Sequence, residues 1–385
     1  MMDASKLSAG ILSCMFLCAK WTGLICFRFR NLENNVKVLE ESWSNRPRWK
    51  CYMVILRLVP LCIYVYTLAG FISSRKVLIE QILQATRLVF LVPCYTSMIY
   101  LNVFHGSKVS KLVNRYLDIF RQVNPKANRI SVSIGGGRAL LLILLSVGCQ
   151  IQEIVFLFGI IQWAFSLENI IVLASHTYVI IASNTFMRIS FIWYLSLGVL
   201  CANLCENLQI ECLKNNQRYQ NSRHQINKTQ RLKRTMSLCG DITYVVTSLQ
   251  DISSVHLFLS GVQSLFQIVV ISFKMINDLQ FSEIKLWLFF VKIMIDLLIC
   301  SLATQNVANQ FRSIRELTLD IFLVGESKDW IKTVEIFVTH LNLNEFRVRL
   351  LGLFDFSNKQ FLVIVSGMVS YLVFIVQCVI QFRKN

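Results

Sequence analysis

Four residues near the end of the chain have types and spacing that could handle ions inside an apolar setting. Ser370, Phe374, Gln377 and Gln381 follow a four-three-four spacing, which puts them on one face of a helix. They lie in the stretch Gln360 to Phe382, QFLVIVSGMVSYLVFIVQCVIQF, which has no charged residue and is followed by Arg383 and Lys384. At about 1.5 Å per residue this run is long enough to cross a bilayer's hydrocarbon core, which takes about 20 residues. Tyr371, Ile375, Cys378 and Phe382 make the neighbouring stripe. Amides in a spanning helix are costly against lipid, so the two glutamines must face protein or water. Two readings stay open from these residues alone: a hydrogen bond between helices, or a face that lines a pore.

A second set could form a small-molecule pocket. Tyr95, Gln162, Trp163, His176, Tyr178, Gln267 and Trp287 fall in the same halves of successive apolar runs, and Glu153 lies in one of them. A pocket needs mostly apolar lining with a few placed polar groups, and this set supplies them. The same aromatics at helical spacing also serve as packing, and Trp163 and Trp287 as interfacial anchors. Lys292 and Asp296 are four apart and neutralise one another as a structural pair, whereas Glu153 has no partner visible in the sequence. Arg188 lies deep enough to reach an inner interface. No nucleophile, base or metal constellation shares a pocket, so neither an enzyme nor a cofactor is expected. The 13 cysteines include no CxxC pair and read as small apolar fillers rather than a metal or disulfide frame.

The elements that must carry these residues are membrane spans. The chain has 385 residues, of which 55% are hydrophobic and only 16% charged, with a mean hydropathy of +0.53. Soluble proteins carry about 25% charged residues. The net charge of +17 does not point to nucleic acid, because the basic residues sit between apolar runs. The expected fold is an all-α integral membrane protein, a single domain over 1–385 with seven transmembrane helices. The spans are read at 51–72, 82–104, 139–163, 169–205, 252–273, 286–303 and 360–382. Span four, at about 54 Å, exceeds a core of about 30 Å, so it must continue into the cytoplasm. Asn309 to Phe356 mixes apolar residues with balanced charge, the pattern of amphipathic helices in a body beneath the membrane.

Orientation comes from the loops. Basic residues crowd the start of the chain (Arg46, Arg48, Lys50), the connection after span two (Lys108, Lys111, Arg115, Arg121) and the one after span four (Arg231, Lys233, Arg234). The positive-inside rule then predicts a cytoplasmic amino terminus and an extracellular carboxyl terminus. The sequon at Asn227 falls on the cytoplasmic side and would go unused. Leu7 to Cys26 reads as an interfacial helix. A secretory signal is the alternative, because Leu17-Cys18-Ala19 could end a short apolar core.

The carboxyl end carries a recognisable signature. Ser370-Tyr371, five hydrophobic residues, then Gln377-Cys378 resembles the insect gustatory receptor motif Thr-Tyr, five hydrophobics, Gln-Phe. Gly352-Leu353-Phe354 resembles the Gly-Leu-Phe segment which that family carries before its last span. Ser370 stands for Thr and keeps the hydroxyl. Cys378 stands for the final Phe and removes an aromatic where the family narrows its pore. The resemblance covers the whole chain and extends to the related odorant receptors.

It implies a tetrameric, ligand-gated, non-selective cation channel in the plasma membrane of a sensory neuron. Last spans from four like or unlike gustatory receptor subunits would line the pore, and a ligand pocket would open outward in each. Ser370, Phe374, Gln377, Cys378 and Gln381 become the pore residues, with amides replacing part of a cation's hydration. The expected ligand is a small tastant, with a bitter or noxious compound favoured because the last motif diverges and no sugar-binding cluster stands out. A G-protein-coupled or metabotropic receptor is the alternative. It predicts an external amino terminus and Asp-Arg-Tyr-like and Asn-Pro-x-x-Tyr-like elements, which the sequence lacks.

Overall fold

Long apolar runs with few interior breaks dictate long helices, and helices make up the body of the molecule. The computed structural model describes residues 27–32, 35–40, 47–74, 78–123, 137–160, 167–212, 222–277, 284–322, 328–343, 348–350, 354–355 and 357–384, with scattered helical positions between 7 and 20. In order these form β1 (Phe27–Leu32), β2 (Asn35–Glu40), α1 (Pro47–Ser74), α2 (Leu78–Phe104), α3 (Gly106–Val123), α4 (Gly137–Ile160), α5 (Leu167–Cys212), α6 (Ser222–Asn277), α7 (Ile284–Phe322), α8 (Lys328–Leu343), β3 (Arg349–Leu350), β4 (Phe354–Asp355) and α9 (Asn358–Lys384).

Four helical segments among the described residues are long and apolar enough to cross a membrane: Cys51–Ser74, Glu168–Ile210, Gln230–Ser272 and Trp287–Leu319. A fifth is added if α2 and α3, bent by 73° at their junction, are one broken span. Hydrogen bonds from His105 N to Leu101 O and from Val109 N to His105 O carry the chain through that bend. Pro60 and Pro93 lie inside α1 and α2 without ending them. Spanning helices tolerate this where neighbours satisfy the freed backbone groups.

The chain departs from an all-helical expectation at two small antiparallel hairpins. β1 pairs with β2 in the register Phe27↔Glu40 to Leu32↔Asn35, and β3 pairs with β4. The first follows an alternation, FRFR against VKVL, that fits the two-residue period of a strand.

Two layers of packing are stacked along the helices. The larger core gathers α3, the second half of α5, the first half of α6, the second half of α7, and α8. Here α8 buries Trp330, Val334, Phe337 and Leu341, again at four-three-four spacing, and each contributes about 1.5–3 kcal/mol relative to exposure. Arg115 reaches from α3 to Asp241 on α6 at 2.6 Å and stacks over the Tyr244 ring at 4.2 Å. Both charges are a third or more exposed, so the pair adds little stability. Gly198 on α5 lets α7 approach closely, because a Cβ there would lie 2.5 Å from the Asn306 amide nitrogen. The other layer holds two clusters: Leu61, Tyr64, Leu91, Tyr95, Met98 and Val179 join α1, α2 and α5, while Ile268, Ile271, Phe289, Ile293 and Leu297 join α6 and α7. Phe361 and Met368 of α9 pack on the latter.

Candidate functional site

Apolar helices that carry single polar residues must bring those residues together, since lipid offers no partners. They converge in one cavity between α1, α2, α4, α5, α6 and α7. Its lining comprises Tyr64, Leu91, Glu153, Ile180, Asn184, Met187, Ser260, Gln263, Ser264, Gln267, Phe289, Lys292, Ile293 and Asp296. The free volume is about 50 Å³, below the roughly 300–1,000 Å³ of a typical drug-sized pocket.

One wall is charged. Lys292 Nζ lies 3.3 Å from Glu153 Oε2 and 2.9 Å from Asp296 Oδ2, so a single ammonium ties α4 to α7. Arg188 Nη2 lies 3.5 Å from Asp296 Oδ1, and its other terminal nitrogen donates to the backbone oxygen and the hydroxyl of Ser146. Asn184 Nδ2 donates to Glu153 Oε1 at 2.6 Å. All four charged side chains are nearly buried, which they tolerate because two acids and two bases cancel. The pairing of Lys292 with Asp296 follows from their four-residue spacing. The partners of Glu153 were invisible because they come from other helices.

The α6 part of the lining is neutral. Ser260, Gln263, Ser264 and Gln267 share one face of α6 through an i, i+3, i+4, i+7 pattern. The Ser264 hydroxyl donates to its own helix at Ser260 O, 2.9 Å. Sequence reading singled out Gln267 alone, although the periodicity of the whole stripe was on view in a charge-free span. One turn further along, His256 is fully buried and was not foreseen. Its Nε2 lies 3.0 Å from Ser183 O. Nδ1 faces the Ser97 hydroxyl at 3.0 Å and Cys94 O at 3.1 Å. This histidine therefore pins α2 and α5 to α6.

Of the residues read as pocket candidates, Glu153 and Gln267 line the cavity. Tyr95, His176 and Tyr178 stand behind it: the His176 ring is 4.6 Å from that of Tyr64 and its Nε2 is 2.7 Å from Thr67 Oγ1. Tyr95 meets Tyr178 edge-on at 6.2 Å and donates its hydroxyl to Arg57 O. Trp287 is 41% exposed and pairs with Phe290 away from the lining. Gln162 and Trp163 lie outside the described residues, as do Gly352 and Leu353; Phe354 is placed in β4 by its backbone. Among the described residues no group of His, Cys, Asp and Glu is placed to hold a metal.

The terminal helix α9 presents the other candidate set. It packs on α6 and α7 through Phe361 and Met368. Phe374 is 61% and Tyr371 47% exposed, and Ser370, Gln377 and Gln381 are exposed beside them. Cys378 is placed on the helix by its backbone. Among the described residues, α9 thus leaves the amide-bearing face of its charge-free stretch exposed.

Comparison with known proteins decides the family. The profile of the 7tm chemosensory receptor family matches residues 12–382. The chain belongs to that family. Gustatory receptor 92a of Drosophila melanogaster is 29% identical, covering 98% of this chain and 96% of the relative. Gustatory receptor 93b of the same organism is 27% identical over the whole chain and 96% of the relative. The solved structure of the insect olfactory receptor OR5 from Machilis hrabei superposes with a TM-score of 0.69 at 11% identity, covering 98% of this chain and all of that one. The resemblance to insect gustatory receptors, related to odorant receptors, is thereby shown. The chain is a membrane receptor with a chemosensory-receptor fold, and its family is one of receptors rather than enzymes.

Proposed function

We propose that this gustatory receptor is a ligand-gated, non-selective cation channel, opened by a small-molecule tastant at the plasma membrane of a sensory neuron. Four subunits, identical or mixed with other gustatory receptors, surround a pore lined by α9. Each crosses the bilayer seven times, over the ranges 51–72, 82–104, 139–163, 169–205, 252–273, 286–303 and 360–382, with the amino terminus inside and the carboxyl terminus outside. The ligand is a bitter or noxious compound that enters the cavity from outside.

The observation that carries this reading is the one-sided packing of α9. Its Phe361 and Met368 side is held by α6 and α7, while Ser370, Phe374, Gln377 and Gln381 stay exposed. A face with two amides is unsuited to lipid and suited to water and ions. Copies brought together around that face would bury the apolar residues and leave the amides toward a shared axis.

Coupling has a direct route. Phe289 and Ile293 line the cavity and also belong to the cluster that receives Phe361 and Met368 of α9. A ligand that fits the cavity better when α7 has shifted moves the support of α9. Only such a difference in affinity between closed and open arrangements can gate the pore.

Replacing Gln377 with Leu is the test. Currents evoked by tastants in transfected cells change in conductance or gating while surface expression is kept; unaltered currents remove Gln377 from the pore. Epitope tags at both termini check the orientation, and an externally accessible amino terminus would overturn it.

A further inference from the structure

The chemistry of the cavity narrows what can occupy it, provided the cavity is the receptor's ligand site as proposed above. On the charged wall every carboxylate oxygen is engaged. Glu153 accepts from Asn184 and Lys292, and Asp296 from Lys292 and Arg188. An incoming cation would find no free carboxylate and two fixed positive neighbours. An anion would have to draw Lys292 from a buried partner, which leaves a charge unpaired at high cost. The ammonium has three N–H donors and two carboxylate partners, so one donor is in surplus.

On the neutral α6 part of the lining, Gln267 is only 8% exposed and makes no hydrogen bond with any other described residue. Its amide opens on the cavity, so its polar groups are available to an occupant. It offers an acceptor and two donors without charge. An amide donor of Gln267 and an ammonium donor of Lys292, whose charge its carboxylate partners already balance, match an oxygen that accepts. Apolar Leu91, Ile180, Phe289 and Ile293 complete the surround and suit a hydrocarbon skeleton.

We propose that the cavity selects small uncharged molecules bearing a carbonyl or hydroxyl oxygen, held by the Gln267 amide and the spare Lys292 donor, and rejects ammonium ions of the same skeleton. The volume of about 50 Å³ restricts the occupant to a small molecule, with the flexible thioether of Met187 able to move aside for a larger one.

Matched probes test this without a pore. Full-length protein in lipid nanodiscs is heated with δ-valerolactam or cyclohexanol, and in parallel with piperidinium or cyclohexylammonium chloride at equal concentration. A neutral probe raises the unfolding temperature of the wild-type protein, because a ligand that binds the folded state stabilises it; the ammonium ions do not. Gln267→Leu weakens the neutral probe about tenfold or more through loss of its hydrogen-bonding partner. Gln267→Glu reverses the preference and admits the ammonium ions. The inference is overturned if ammonium ions stabilise the wild type as much as the neutral probes, if the neutral shift survives in Gln267→Leu, or if neither neutral probe produces one. The wild-type comparison stands even where a variant fails to fold. Gln267-dependent binding without any evoked current would defeat the channel reading and leave the ligand class intact. Tastant currents indifferent to Gln267 would do the reverse.

Discussion

The Lys292 ammonium on α7 lies 3.3 Å from the Glu153 carboxylate on α4, and no other ion pair among the described residues joins those two helices. Asp296 neutralises Lys292 within its own helix, yet it is Glu153 that makes the contact tertiary.

Lys292→Met should therefore destabilise the protein by on the order of 3 kcal/mol, since Glu153 is left buried and charged with only Asn184 beside it. Glu153→Gln combined with Lys292→Met restores neutrality, because Arg188 still balances Asp296. The double variant should recover most of the lost stability. Thermal unfolding of the purified single and double variants measures this, and a double variant no better than Lys292→Met would show that the helices do not depend on the pair.

Gly198 on α5 sets the distance to α7. An added Cβ would stand 2.5 Å from Asn306 Nδ2 and 3.4 Å from its Cγ, so Gly198→Ala forces the amide to move. Overpacking costs typically 1–3 kcal/mol, while losing a mid-helix glycine returns about 0.5–1 kcal/mol. The net expectation is a loss of about 1 kcal/mol. Asn306→Ala opens the space, and in that background Gly198→Ala should become neutral or stabilising. Chemical-denaturation midpoints of the four combinations decide it.

Phe289 touches both the cavity and the packing against α9. Phe289→Ala should reduce coupling between the two, raising the half-activating tastant concentration or lowering the maximal current by roughly fivefold or more. Dose–response recordings corrected for surface protein provide the measurement. An unchanged curve would show that α7 does not transmit ligand occupancy to α9.

Much of the helical plan is readable from residue order alone. The apolar run after Asn169, broken only by Arg188, becomes the long α5, and the mixed stretch beyond Asn309 becomes the amphipathic end of α7 and α8. Strands β1 and β2 were legible too, since Phe27, Phe29, Val36 and Val38 alternate with polar neighbours, although an all-helical expectation left no place for them. The site was less legible. Glu153 and Gln267 stand out as lone polar residues in apolar helices, and the cavity wall contains both. Which partners they meet depends on rotation and depth of six helices, and single-helix periodicity does not encode that. For the same reason the roles of Asn184 and His256 emerge only when the helices they join are placed side by side.

The lengths of α5 and α6 have a mechanical consequence. At 46 and 56 residues they run about 69 Å and 84 Å, more than twice a hydrocarbon thickness of about 30 Å. Each is one rod, with cavity residues toward one end and the large core toward the other. A tilt of about 5° pivoting near the cavity would sweep the far tip of such a rod through several ångströms. A sub-ångström adjustment around a small occupant is thus magnified by leverage before it reaches the opposite pole of the molecule.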